Sequence, residues 1–115
     1  MRARSANGDG PRDHEALRHL NFPPLGQGGR AAPLVTKTLV FLGEGSLVDL
    51  SQAPGSGGKM FRAFDKATGE VVWETELRGG TSAAPMTYLA DGKQYIVLTL
   101  GWDDTVSEDV ALALP

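Results

Sequence analysis

Residues 63–74 read Ala63-Phe64-Asp65-Lys66-Ala67-Thr68-Gly69-Glu70-Val71-Val72-Trp73-Glu74, and this stretch decides the fold. Met60-Phe61-Arg62-Ala63-Phe64 alternates large with small or charged side chains, the period of a half-buried strand. Val71-Val72-Trp73 continues with strand formers. Between them Asp65 offers a carboxylate to nearby backbone amides, and Gly69 offers a residue free to take positive φ. The sequence predicts two antiparallel strands, near 59–64 and 70–77, joined by a tight turn.

Working outward, the same signals recur. Pro33-Leu34-Val35-Thr36 and Thr38-Leu39-Val40-Phe41-Leu42-Gly43 are β-rich, and the second reads as a strand buried on both faces. Residues 84–89 and 94–100 form a second predicted hairpin across Ala90-Asp91-Gly92-Lys93, where Asp-Gly is a strong reversal signal. A last strand is expected over 110–114. That makes seven strands, four and then three, so the second sheet is one strand short. An open edge of that kind recruits other strands. Residues 47–58 form a long loop ending in Pro54-Gly55-Ser56-Gly57-Gly58, a length usually associated with function or mobility. The first 30 residues differ from the rest. Asp13 to Leu20 is the one predicted helix, with Asp13 as its cap and Ala16, Leu17 and Leu20 as its apolar stripe, and Pro23-Pro24 stops it.

Composition narrows the function classes. The 115 residues suffice for one small domain, and 15 glycines with 7 prolines favour short strands and turns over long helices. A net charge of −3 with no basic stripe argues against nucleic-acid binding, and the arginines at 2, 4, 12 and 18 are interrupted by Asp9, Asp13 and Glu15. The absence of cysteine excludes a disulfide scaffold, a thiolate metal site and a cysteine nucleophile. No apolar run approaches the roughly 20 residues of a membrane helix, and the N-terminus lacks the apolar segment of a signal peptide.

Taken in order, residues 25–45, 61–74, Ala84-Pro85-Met86-Thr87-Tyr88, 91–97 and the terminal Ala113-Leu114-Pro115 resemble the C-terminal end of pyrroloquinoline-quinone (PQQ)-dependent dehydrogenases. The branch they look most like is the one called quinoprotein glucose dehydrogenase. Asn7-Gly8-Asp9 and Asn21-Phe22-Pro23-Pro24 resemble the inter-blade connection just upstream. In that family an Ala-x-Asp…Gly-x-x-x-Trp segment closes each propeller blade and its indole docks on the next blade, the role this implies for Trp73. The expected fold is therefore all-β: a partial quinoprotein β-propeller of about one complete four-stranded blade and an incomplete last blade. Residues 1–30 would be an inter-blade connection with the short helix near 13–20, and residues 31–115 the C-terminal blades.

The resemblance implies an enzyme, with PQQ and Ca²⁺ in the parent protein, that oxidises a sugar or alcohol and passes electrons to a quinone or cytochrome. The quinone is the electrophile; the protein supplies orientation, a polarising cation and a base. The family's catalytic aspartate, cofactor-stacking residues and cation ligands lie in earlier blades, so no catalytic or metal-binding residue is expected here and the chain alone should be inactive. Its partners would be the remaining blades of the full-length protein. A periplasmic location follows from the resemblance, which is also compatible with membrane association. The alternative is a non-catalytic scaffold module of the outer-membrane assembly lipoprotein type, which reuses the same blade.

Two residues are candidates for lining the cofactor cavity. Met60 stands where related alcohol dehydrogenases often carry a tryptophan, at the strand start nearest the cofactor. Trp102 follows Gly101 in a loop where membrane glucose dehydrogenases carry Gly-Gly-His; here Gly101-Trp102-Asp103-Asp104 has no histidine, which departs from the glucose-type pattern. Other clusters read as surface. Asp103, Asp104, Glu108 and Asp109 fit no calcium-loop spacing. His14 and His19 are five apart and share no helix face. Arg30 and Lys37 flank a strand, and neither glycine-rich segment is a phosphate loop.

Overall fold

The computed structural model describes residues 6–7, 15–16, 18–21, 32–45, 58–101 and 107–113. Seven strands form: β1 (Leu34–Val35), β2 (Leu39–Gly43), β3 (Met60–Asp65), β4 (Val71–Glu76), β5 (Met86–Ala90), β6 (Lys93–Leu100) and β7 (Glu108–Ala113). They make two antiparallel sheets, ordered β1-β2-β3-β4 and β5-β6-β7. The four-plus-three division read from the sequence is the one observed.

The Asp65 turn is built from the side chain outward. Its Oδ1 accepts the amides of Ala67 (2.8 Å) and Thr68 (2.9 Å), and its carbonyl accepts Gly69 N–H at 2.8 Å. Gly69 takes φ 77°, a region that costs a residue with a Cβ about 1–2 kcal/mol. Beyond the turn Phe64 pairs with Val71 but Ala63 pairs with Trp73, leaving Val72 as a bulge residue. The extra residue shifts the alternation of β4 by one; opposite it on β3 the adjacent Ala63 and Phe64 are both buried. The second hairpin turns through Asp91 (φ 50°) and Gly92 (φ 74°), both positive as a two-residue type I′ turn requires.

One face of each sheet packs on the other. Phe41, Phe61 and Ala63 meet Ile96, Leu98 and Leu100, with Leu34, Leu39, Leu77, Val110 and Leu112 around them. Phe41 and Phe61 stack at 6.0 Å, and Trp73 meets Phe61 edge-on at 6.3 Å. Replacing Phe61, which has no exposed surface, by alanine removes about 3–5 kcal/mol from such a core.

Three expectations change. Glu15, Ala16, Arg18 and His19 lie in turns, and no helix forms among the described residues. The proposed stripe held three apolar residues, Leu20 is exposed, and so short a helix is not stable without a packed face. β2 buries Phe41 and Gly43 but only half-buries Leu39, Val40 and Leu42, so one of its faces is better covered than the other. β5 starts at Met86 and not Ala84, because the buried Pro85 has no N–H to enter the ladder. The loop expected at 47–58 lies outside the described residues up to position 57.

Candidate functional site

Met60 opens β3, and the end of the sheet where it sits holds the most polar ground among the described residues. The N–H of Met60 donates to Oε2 of Glu44 at 3.2 Å, and its carbonyl accepts the N–H of Glu44 at 2.8 Å. The other Glu44 oxygen accepts from Arg62 at 2.5 Å. Arg62 also donates through Nε to Glu74 (3.0 Å) and through the same amino nitrogen to Asn7 Oδ1 (2.9 Å). Asn7 returns a bond from Nδ2 to the carbonyl of Gly43 at 3.2 Å. A residue of the N-terminal segment is thus tied to the ends of β2 and β3.

Local sequence explains this arrangement. Glu44 follows an apolar strand and sits between Gly43 and Gly45, so the chain turns in tightly at its position. A Cβ on Gly43 would collide with the side chain of Thr81. That close approach lets Thr81 reach the Glu44 carbonyl with both its N–H (3.1 Å) and its hydroxyl (3.1 Å). Thr81 bridges onward to Leu100, and Gly101 N–H bonds the Gly80 carbonyl at 3.2 Å. Glu44 is therefore a knot between the sheets. It joins β2, β3 and the segment that crosses to β6.

Burial ranks the ion pairs. The Arg62 and Glu44 side chains are 14% and 8% exposed, whereas that of Glu74 is 51% exposed. Losing one member of the buried pair strands a charge at about 3–5 kcal/mol; the Glu74 contact is worth about 0–1 kcal/mol. No buried side-chain polar atom lacks a partner among the described residues.

The structure brings the start of β3 at Met60 and the end of β6 at Gly101 to the same end of the two sheets, through Glu44, Thr81 and Leu100. Trp102 itself lies outside the described residues. Trp73 projects from β4, an edge strand, and remains 42% exposed. It lines an apolar cavity of about 250 Å³ with Leu39, Phe41 and Val72 of its own sheet and Ile96 and Leu112 of the other. The indole thus borders the cavity that Ile96 and Leu112 line from the second sheet.

The residues expected to be surface stay at the surface where they are described. Lys37 is exposed and lines a shallow depression with Asp65 and Lys66. His19 is exposed. Asp109 accepts the Thr99 hydroxyl at 2.8 Å, and Glu108 lies 3.8 Å from Arg78. The remaining members of that acidic cluster, with His14 and Arg30, fall outside the described residues. Among the described residues no group of three or more His, Asp or Glu could hold a metal ion. Of the carboxylates near Met60, Glu44 and Glu74 pair with Arg62, while Glu76 stands directly opposite Met60 on β4. No reaction step is assigned to these residues.

Comparison with known proteins supplies the family. The profile of the glucose/ethanol/alcohol dehydrogenase β-propeller domain matches residues 3–96. The chain belongs to this quinoprotein dehydrogenase propeller family. The quinoprotein alcohol dehydrogenase PedH of Pseudomonas putida is 36% identical over 95 residues, covering 80% of this chain and 13% of PedH. The quinohemoprotein alcohol dehydrogenase of Comamonas testosteroni is 48% identical over 40 residues, 35% of this chain and 6% of that protein. The 1-butanol dehydrogenase (cytochrome c) of Thauera butanivorans is 40% identical over 48 residues, 42% of this chain and 7% of that protein. The chain spans a small part of the length of each of these relatives. No solved structure gives a significant match.

The Glu44–Arg62 pair escaped the reading of the sequence. Its signal was present in two places: a carboxylate between glycines at a strand end, and an arginine inside the otherwise apolar Phe61–Phe64 run. Neither names its partner, because eighteen positions separate them.

Proposed function

We propose that this chain forms the C-terminal blades of a PQQ-dependent dehydrogenase that oxidises a sugar or alcohol and passes the electrons to a quinone or cytochrome. The observation that carries this is the Trp73 hairpin. Its Asp65 turn, Ala63/Phe64 bulge and indole facing the second sheet form a blade closure, in a chain whose residues 3–96 match the family propeller. Residues 1–30 then connect blades, residues 31–115 complete the ring, and the partners are the remaining blades of a longer protein. Ca²⁺ accompanies the quinone, Met60 and Trp102 line its cavity, and the enzyme works in the periplasm.

When bound, PQQ accepts the electrons released from the alcohol carbon. The residues described here orient: Glu44 holds the backbone of Met60, Arg62 holds Glu44, and Trp73 spaces the two blades. The 115 residues alone carry no catalytic set and are inactive. The test is dye reduction by the protein encoded by the longer reading frame, purified and supplied with PQQ and Ca²⁺, beside the 115-residue chain treated alike. Substrate-dependent reduction by the longer protein alone is expected. Turnover by the short chain overturns its inactivity. A longer protein that never reduces dye with any sugar or alcohol returns the scaffold reading.

A further inference from the structure

Thr81 lies in the segment that crosses from β4 to β5, and only 5% of its surface is exposed. The glycines on either side of Glu44 make a seat for it. A Cβ on Gly43 would overlap its side chain, and one on Gly45 would stand 2.5 Å from its carbonyl oxygen. From this seat Thr81 donates twice to one acceptor: its N–H and its hydroxyl each reach the Glu44 carbonyl at 3.1 Å. A carbonyl has two lone pairs, so the two bonds fill it and fix its direction.

The other side of Thr81 belongs to the second sheet. Thr81 bridges Leu100, Ser82 N–H donates to the Thr99 carbonyl at 2.9 Å, and Gly101 N–H donates to the Gly80 carbonyl at 3.2 Å. Glu44 meanwhile donates its N–H to the Met60 carbonyl and accepts the Met60 N–H on its carboxylate. Met60 and Gly101 are thus joined through Glu44 and Thr81, with one covalent step at the Gly80–Thr81 peptide. Every group on this path lies within the two described sheets and their connections, so none of it waits on another blade.

We propose that Thr81 is a positioning residue for the quinone: its hydroxyl sets the spacing between the Met60 wall and the Gly101 wall of the cofactor cavity. This role rests on the reading of Met60 as cavity lining in the longer protein. Methionine is flexible and adapts to what it touches, so the position of this wall is set by backbone held from behind. Glu44 holds that backbone, and Thr81 holds Glu44. Gly101, at φ 128°, has no side chain to anchor it, and a Cβ there would stand 2.7 Å from the Ser107 Cα. Its bond to the residue before Thr81 is what ties it to the first sheet. Without the hydroxyl, one lone pair of the Glu44 carbonyl is left open and the peptide is free to rock.

The longer protein, freed of PQQ, tests this with substitutions that separate shape from hydrogen bonding. Thr81→Val keeps the shape and loses the hydroxyl; Thr81→Ser keeps the hydroxyl and loses a methyl. Equilibrium dialysis against PQQ with Ca²⁺ is run far below each unfolding midpoint. Thr81→Val is expected to raise the dissociation constant about tenfold, as when the partner behind a ligand is removed. Thr81→Ser should leave it unchanged. Thr81→Ala should match Thr81→Val, which covers failure of the bulkier variant to fold. Amide exchange of the PQQ-free protein reads the cause: loss of the hydroxyl speeds Met60 and Gly101 together and leaves Ile96 unchanged. A merely structural role would make affinity follow the unfolding midpoint, whichever group is lost. Unchanged affinity without the hydroxyl, equal losses in Thr81→Ser and Thr81→Val, or exchange that ignores the hydroxyl overturns the role of Thr81 and leaves the dehydrogenase reading standing. An unsubstituted longer protein that binds no PQQ removes that reading, and the role of Thr81 with it.

Discussion

Arg62 and Glu44 show how much one pair can hold. Each is mostly buried, and each is the other's main partner, while Glu74 shares Arg62 from a wetter position. Glu44→Ala therefore removes the buried partner of the guanidinium, leaving it Asn7 and the half-exposed Glu74, and releases the Met60 amide; it is expected to cost about 3 kcal/mol. Glu74→Ala is expected to cost less than about 1 kcal/mol. Urea unfolding of the two variants reads the contrast directly; equal losses would show that burial does not rank the pairs. Asp65 acts through pH instead. The amides of Thr68 and then Ala67 bond its carboxylate and hold its pKa below the ordinary value. A lowered folded pKa means that the unfolded chain binds protons more readily, so the turn adds stability above the ordinary aspartate range, about 3.9. That contribution is lost as pH falls through the lowered value. Asp65→Asn should flatten this part of the acid limb and leave the neutral-to-alkaline limb unchanged, as measured by melting temperature across pH.

The elements follow a simple division between local and distant causes. Both hairpins were legible because a turn residue and two strand patterns lie within a dozen positions, as in Asp65…Gly69 and Asp91-Gly92. The three-strand second sheet was legible by counting. The helix at 13–20 failed because a capping residue and three apolar side chains specify a helix only when something covers the stripe. The Glu44 knot was not legible because its cause is the approach of Thr81, 37 positions away, and no local pattern encodes that. The strand that carries Trp73 was readable, but the cavity it shares with Ile96 and Leu112 came only with the packing of the sheets. The same division orders stability. β6 is the central strand of its sheet and alternates buried residues along its length, whereas β1 has two residues at an edge. Amide exchange is expected to be slowest at Ile96–Leu98 and fastest at Leu34–Val35. Gly92→Ala, at φ 74° with open space around its Cβ, tests the turn by backbone strain alone. It should lower stability by about 1 kcal/mol without moving the Tyr88–Tyr95 register.

At the scale of the molecule, the two sheets bury one shared face and leave Trp73 half-covered. Its indole touches Phe61 and overhangs a cavity of about 250 Å³ between the sheets. A side chain that is 42% exposed contributes only part of what a fully packed aromatic would, so Trp73→Ala in the 115-residue chain is expected to cost about 1–3 kcal/mol. In the proposed full propeller the same indole is enclosed, and the loss should rise toward about 3–5 kcal/mol. The comparison needs denaturant midpoints and slopes for both proteins with and without the substitution, so that a change in stability is separated from a change in the surface exposed on unfolding. Trp73→Phe serves as control: it keeps an aromatic against Phe61 while shortening the reach to Ile96 and Leu112, and should fall between the native residue and alanine. A cost that is the same in the short and the long protein would mean that the hairpin is complete as it stands. It would then owe nothing to neighbouring blades, and the docking role proposed for Trp73 would be lost with it.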